Sequence, residues 1–159
     1  MKKYIGTKLV EAAPEYKCIS TGKTFAIDKM PEQEAREKGL ELGYLVQYPD
    51  GYFSWSPKET FEKAYLQVDD NEDLPSGVSI GTKMVEDFIA NVETTTMGES
   101  TTVVRCVLKN GFAIVESSSC VDSRNYSEAV GREICMNKIK DRVWELLGFL
   151  LQTAWHGIQ

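Results

Sequence analysis

The residues best suited to hold an anion lie in the C-terminal half of the chain: Arg105, Lys109, Arg132 and Lys140, with Asn137 and Phe112 among them. Guanidinium and ammonium groups are the natural clamps for a diphosphate, and an aromatic ring such as Phe112 offers a stacking plane for a nucleobase. Asn137 and Lys140 are an i, i+3 pair on a helical pattern, while Arg132 precedes them by about one and a half turns, so the three need not share a face. Two readings stay open: a solvated stripe beside Glu133 and Asp141, or the cations of a ligand site. Material for catalysis is scarce. The one histidine, His156, is four residues from the end and next to Gly157, a poor place for a proton-transfer group. No GxSxG elbow occurs, and Ser117-Ser118-Ser119 lacks the GxxxxGK form of a P-loop. That serine run is either a polar strand-to-helix loop or a set of hydroxyls and amides placed before a helix to hold an anion. Cys18, Cys106, Cys120 and Cys135 form no CxxC and have no partnering histidines, so no zinc site is expected. No catalytic residue, metal or cofactor is expected, and the chain does not read as an enzyme.

The elements that must position these residues lie between Thr101 and Leu151. Thr101–Leu108 is rich in β-branched residues, Asn110-Gly111 is a type I′ turn signal, and Phe112–Val115 continues as strand. A two-residue loop would pair Lys109 with Phe112, Val107 with Ile114 and Arg105 with Glu116. Leu108, Ala113, Cys106, Val115, Val104 and Ser117 would then form the core face. The other face would carry Arg105, Lys109, Phe112 and Glu116, either as solvated surface or as a docking face. A polar loop, residues 117–124, leads to Asn125 and Glu128, which have the form of a capping box. From there a helical pattern runs through Ile134, Ile139, Val143, Leu147 and Leu150. Trp144, Leu147, Phe149, Leu150 and Trp155 give its end more apolar surface than a hairpin covers, the mark of an interaction site if exposed.

The rest of the chain reads as an N-terminal module, residues 1–68, joined by an acidic linker, residues 69–79, to a C-terminal domain, residues 80–159. Tyr4–Ala12 is expected as a strand ended by Pro14, and Cys18–Ile27 as an extended stretch turning at Thr21-Gly22. Pro31–Leu42 suits a short charged helix. Tyr44–Tyr48 and Tyr52–Trp55 flank Pro49-Asp50-Gly51, a hairpin with a primed turn. Ser56 then caps a helix with Pro57 at its first position. Tyr44, Tyr48, Tyr52, Phe53 and Trp55 are mostly core, since a module of about seventy residues has little else to pack, though one or two can stack on a base. Asp69 to Asp73 and Pro75-Ser76-Gly77 mark the linker. Ile80–Val92 has apolar residues at 80, 84, 85, 88, 89 and 92, an amphipathic helix, and Thr94–Ser100 is a polar connection. The class is α+β: an antiparallel hairpin-and-helix module, then a helix, a β-hairpin and a long helix.

A net charge of −6 over 159 residues argues against a DNA- or RNA-binding surface, which carries a basic stripe. It leaves room for a small anion held by a few local cations. The N-terminus, Met1-Lys2-Lys3-Tyr4, has no apolar leader, and Leu146–Leu151 is too short to span a bilayer. The expectation is a soluble cytoplasmic protein, with no membrane partner.

Lys109-Asn110-Gly111-Phe112, Ser118-Ser119-Cys120-Val121, Gly131-Arg132 and Val143-Trp144-Glu145-Leu146-Leu147-Gly148-Phe149-Leu150-Leu151 together resemble a small bacteriophage protein family, labelled N-four gene forty-nine and Sf-six gene sixty-six. About a third of the chain carries the likeness. Phage anti-Thoeris sponge proteins look like members; they bind cyclic ADP-ribose isomers without hydrolysing them, and some bind cyclic oligonucleotides. The resemblance implies a homo-oligomer, dimer or hexamer, assembled through the C-terminal helices with ligand pockets between subunits. It implies a phage anti-defence sponge that sequesters a cyclic nucleotide signal. The alternative is a phage interaction protein that binds a host protein through its C-terminal helix. Two positions depart from the family pattern. Glu116-Ser117 stands where members have glycine then glutamate, and Met136 where relatives are often basic or polar. Trp55-Ser56-Pro57-Lys58 is similar to the helix entry of a module that begins many short phage proteins, and no function is carried over from it.

Overall fold

The computed structural model describes residues 1–158, so Gln159, the last residue of the expected C-terminal domain, lies outside the described residues. The chain is α+β with three antiparallel sheets, and it divides into two units: residues 1–67 with the C-terminal residues from Thr153 on, and residues 68–152.

The first unit contains β1 (Glu11–Lys17), β2 (Thr24–Ala26), α1 (Glu32–Glu37), β3 (Glu41–Gln47), β4 (Phe53–Pro57) and α2 (Lys58–Ala64), with sheet order β2-β1-β3-β4. The expected strand at Tyr4–Ala12 is displaced: β1 begins at Glu11, and Tyr4 and Ile5 are exposed. Pro14, expected to end that strand, lies inside β1 opposite Tyr44. Its missing N–H is harmless because β2 reaches β1 only at Glu15–Lys17, which leaves Pro14 at a local sheet edge. Tyr16 is buried with Met30 and Ala35, and Tyr44, Phe61 and Tyr65 stack with centroids 4.3 and 4.6 Å apart. Trp55 lies against Gly43, where a Cβ would meet its ring, and its Nε1–H donates to the Glu15 carbonyl at 3.3 Å. Tyr52 and Phe53 remain exposed. Pro57, not Ser56, holds the cap position of α2, and Ser56 ends up in β4.

The second unit begins with β5 (Asp69–Asp70) and β6 (Val78–Ser79), which pair within the stretch expected as a linker. Then come α3 (Thr82–Phe88), β7 (Ile89–Met97), β8 (Thr101–Leu108), β9 (Ala113–Ser119) and α4 (Glu128–His156), the sheet running β7-β8-β9. The helix expected over Ile80–Val92 is cut short at Phe88. Residues 89–97, helical or loop by pattern, are strand because Val92, Thr94 and Thr96 pair with Cys106, Val104 and Thr102, and pairing with a neighbour outweighs local preference. The serine run is also strand: β9 extends to Ser119, and only residues 120–127 connect it to α4.

Both hairpin turns differ from expectation in the same way. A type I′ turn needs positive φ at both central residues, yet among the described residues only glycines have positive φ. Gly51 and Gly111 do, at 83° and 84°. The Asp50 carboxylate accepts from Tyr52 N–H at 3.1 Å and the Asn110 side-chain oxygen from Phe112 N–H at 3.0 Å. These Asx bonds hold Asp50 and Asn110 at negative φ and leave the left-handed step to glycine, giving three-residue loops closed on Tyr48–Tyr52 and Leu108–Phe112. The second hairpin is therefore shifted by one residue: Val107 faces Ala113, Cys106 faces Ile114, Arg105 faces Val115 and Val104 faces Glu116. Ile114 and Glu116 move to the helix-covered side, while Val115 moves to the bare side.

Thr102, Val104, Cys106 and Leu108 alternate along β8 into a core with Ile114, Met84, Val85 and the α4 residues Cys135, Ile139, Val143 and Leu147. Ile134 and Leu150, expected in that stripe, are exposed. Asn125 does not cap the helix. It belongs to a 3₁₀ turn, Ser123–Asn125, and Ser127 Oγ accepts from Val130 N–H at 3.4 Å. Gly131 sits where a Cβ would lie 2.2 Å from Thr102 Oγ1, so the helix backbone lies directly on the strand. Gly148, by contrast, has open space around it. Gly131→Ala should lower stability by about 1–3 kcal/mol through the clash, despite its gain in helix propensity. Gly148→Ala should raise stability by up to about 1 kcal/mol. Urea midpoints of the two variants against wild type check both signs.

Candidate functional site

In the second unit a half-open cleft of ≈ 230 Å³ lies where the end of β9, the 3₁₀ turn and the first turns of α4 meet. Its apolar wall is Cys120, Val130, Gly131 and Ile134, and its rim carries Ser118, Ser119, Asn125, Tyr126 and Ser127. Tyr126 is anchored from behind: its hydroxyl bonds Thr96 Oγ1 at 2.8 Å and Thr102 Oγ1 at 2.9 Å, and Thr96 also bonds the Glu128 carboxylate. The first amides of α4 have no partner within the helix, and a 29-residue helix directs its positive end to this place. Asp122, at the start of the 3₁₀ turn, is paired with Arg124, which holds its carboxyl below the usual range.

Below the cleft, two cations of α4 stand against β9. Lys138 Nζ donates to the Ser117 carbonyl at 3.0 Å, and Arg142 faces Glu116 at 3.6 Å. With Val130 and Ile134 they make a row at every fourth residue, each one position before a buried residue. On the opposite flank Lys140 bonds Glu86 of α3 at 2.7 Å.

The six residues singled out in the sequence fall into separate places within one chain. Arg105 is on the sheet face away from α4, paired with Glu93 at 3.2 Å and flanked by Val115. Lys109 and Phe112 sit at the β8–β9 turn, where the Lys109 backbone N–H donates to Phe88 O at 2.9 Å and the Phe112 ring is 52% exposed. The Asp87 carboxyl is held below its usual range first by Lys83, and the Lys109 charge adds to this. Arg132 is exposed near the start of α4, Lys140 pairs with Glu86 of α3 eight residues on, and Asn137 is exposed. None of the six lines the cleft. Lys138 and Arg142 were passed over in the sequence. The signal for them was their place immediately before Ile139 and Val143, together with the Ser117–Ser119 run that faces them.

His156 ends α4, its ring parallel to Trp155 at 5.6 Å. Among the described residues no group of histidine, cysteine and carboxylate side chains is placed to hold a metal ion, and no helix is long and apolar enough to cross a membrane.

The second unit is thus a long helix laid on a three-stranded meander, with a cleft at the helix head. Residues 80–155 match the sequence profile of the Phage protein (N4 Gp49/phage Sf6 gene 66) family. That stretch holds α3, the β7–β9 sheet and nearly all of α4, so over it the chain is similar to this family, whose description names no catalytic activity. No curated protein and no solved structure matches the chain significantly.

All four cysteines are free. In the turn after β1, hydrogen bonds from Ser20, at 3.2 Å, and from Thr21 lower the Cys18 pKa to about 7, whereas burial pushes the Cys106 and Cys135 thiols up. Alkylation by iodoacetamide at pH 7.5 should label Cys18 rapidly, with a rate midpoint near its thiolate pKa. Ser20→Ala should move that midpoint upward, and Cys106 and Cys135 should react only on unfolding. Mass mapping of labelled peptides against pH reads all three.

Proposed function

We propose that the protein is a phage anti-defence sponge. It binds a cyclic nucleotide immune signal, a cyclic ADP-ribose isomer or a cyclic oligonucleotide, and sequesters it without cleaving a bond. The observation that carries this reading is the cleft at the head of α4, which combines an apolar wall with a rim of hydroxyls inside the matched segment. Apolar surface suits a base, and hydroxyls at the positive end of a long helix suit a phosphate. The match to the family model adds weight, since the sponge proteins resemble the same family. In this reading the protein is a homo-oligomer, dimer or hexamer. Copies packed through α4 bring the exposed Phe112 and Arg132, with Arg105, Lys109, Asn137 and Lys140, towards a ligand that no single chain surrounds.

A second reading has its own observation. Leu146 and Leu150, one turn apart, and Trp144 on another face of α4 are all more than one-third exposed, apolar surface of the kind that docks a partner protein. Here α4 binds a host protein and no nucleotide is involved.

Isothermal titration with cyclic ADP-ribose isomers and a panel of cyclic di- and trinucleotides separates the two. Tight binding should appear with at least one ligand. It should weaken at least tenfold in Phe112→Ala/Arg132→Ala, with the oligomer intact by light scattering, and the ligand should be recovered unchanged after denaturation. Absence of heat and of thermal shift across the panel would sink the sponge reading and favour the host-protein one.

A further inference from the structure

We infer that the groove between β9 and α4 seats a nucleotide, with one base in the cleft at the head of α4, a phosphate on Lys138 and Arg142, and Glu116 limiting how much negative charge the groove accepts. This deepens the nucleotide-binding reading above and rests on it for the class of ligand.

Size sets the first condition. Pockets for whole drug-sized ligands run to about 300–1,000 Å³, and ≈ 230 Å³ is too little for a cyclic dinucleotide but enough for one ring system. The remainder of the ligand must lie along the surface. A continuous path with matching charge follows β9, because Ser118 lines the cleft and its neighbour Ser117 holds Lys138. Ile134 and Lys138 are one turn apart, about 6 Å along the axis, comparable to the span of one nucleoside.

Charge sets the second. Residues 68–159 hold eight basic and fourteen acidic side chains, against ten of each in residues 1–67. Among the described residues five of the eight bases pair with a carboxylate. Lys138, like Lys109 and Arg132, does not, and its partner is a neutral carbonyl. Arg142 has a carboxylate, but loosely: 3.6 Å, with its side chain 58% exposed, against about 2.7–2.9 Å for a charge-assisted bond. Glu116 is the more enclosed partner at 20% exposure, held at the sheet edge on the helix side by the shifted register. An incoming phosphate offers both cations a better acceptor than they have. Glu116 then stands beside the phosphate, and its charge opposes a second or third negative group.

The test uses backbone amide NMR of the full chain with 5′-AMP, adenosine and inorganic phosphate as separate probes. AMP should shift the amides of Ser118, Ser119, Gly131, Ile134 and Lys138. Adenosine should shift only the cleft residues. Lys138→Ala should weaken AMP binding about three- to tenfold and leave adenosine unchanged. Glu116→Gln should tighten AMP several-fold. Ile134→Asp, at a position already 42% exposed, should abolish both. AMP shifts elsewhere or absent, or equal loss of AMP and adenosine in Lys138→Ala, would overturn the assignment. The two proposals fail separately. AMP in the groove with no heat from any cyclic nucleotide removes the sponge and keeps the groove. Cyclic nucleotide affinity unchanged in Lys138→Ala and Ile134→Asp removes the groove and keeps the sponge.

Discussion

The second unit is organised by the contact of Gly131 with Thr102. A helix approaches a strand this closely only where one partner has no Cβ, and here the missing atom would overlap the threonine hydroxyl. From that point α4 runs along β8, and two repeats come into step. Four residues of helix rise about 6 Å and two residues of strand about 6.6–6.8 Å, so Gly131, Cys135, Ile139, Val143 and Leu147 stay buried over the alternating core face of β8. Each fully buried aliphatic in such a row contributes about 1.5–3 kcal/mol, so the alignment is held along its whole length once its first contact is made.

The placing of both flanks of α4 follows from that alignment. A buried row at every fourth residue turns by about 40° per step relative to a 3.6-residue helix, which lets the flanks follow the twisted sheet. One flank, Val130, Ile134, Lys138 and Arg142, runs beside β9 and supplies one wall of the groove. The other reaches α3 through Lys140 and Glu86. A single helix thus presents an apolar-then-cationic strip on one side and a self-paired charge on the other, in a segment whose overall charge is negative. Charges beyond a Debye length of about 8–10 Å are largely screened at physiological salt, so the groove's local cations matter more to an anion than the distant carboxylates.

The chain by itself determined that two hairpins form, at Asp50-Gly51 and Asn110-Gly111, that residues 101–108 alternate as a half-buried strand, and that a long helix follows. These are local facts: turn chemistry, a period of two and sustained helical periodicity act over a few residues and survive any surroundings. The family blocks were legible for the same reason, since they are runs of adjacent residues.

Only the tertiary structure decided which face each side chain takes. The turn type depends on whether an Asx side chain bonds the backbone two residues on, a small local preference that moves every β9 residue to the other face and puts Glu116 beside Arg142. Residues 89–97 became strand because β8 offered a partner, whatever their own periodicity. The rotation of α4, which makes Lys138 and Arg142 groove residues and places Arg132 and Lys140 elsewhere, was set by a glycine meeting a threonine 29 positions away in the chain. No window of sequence contains both partners of such a contact, and the physics that joins them operates only once the chain has folded.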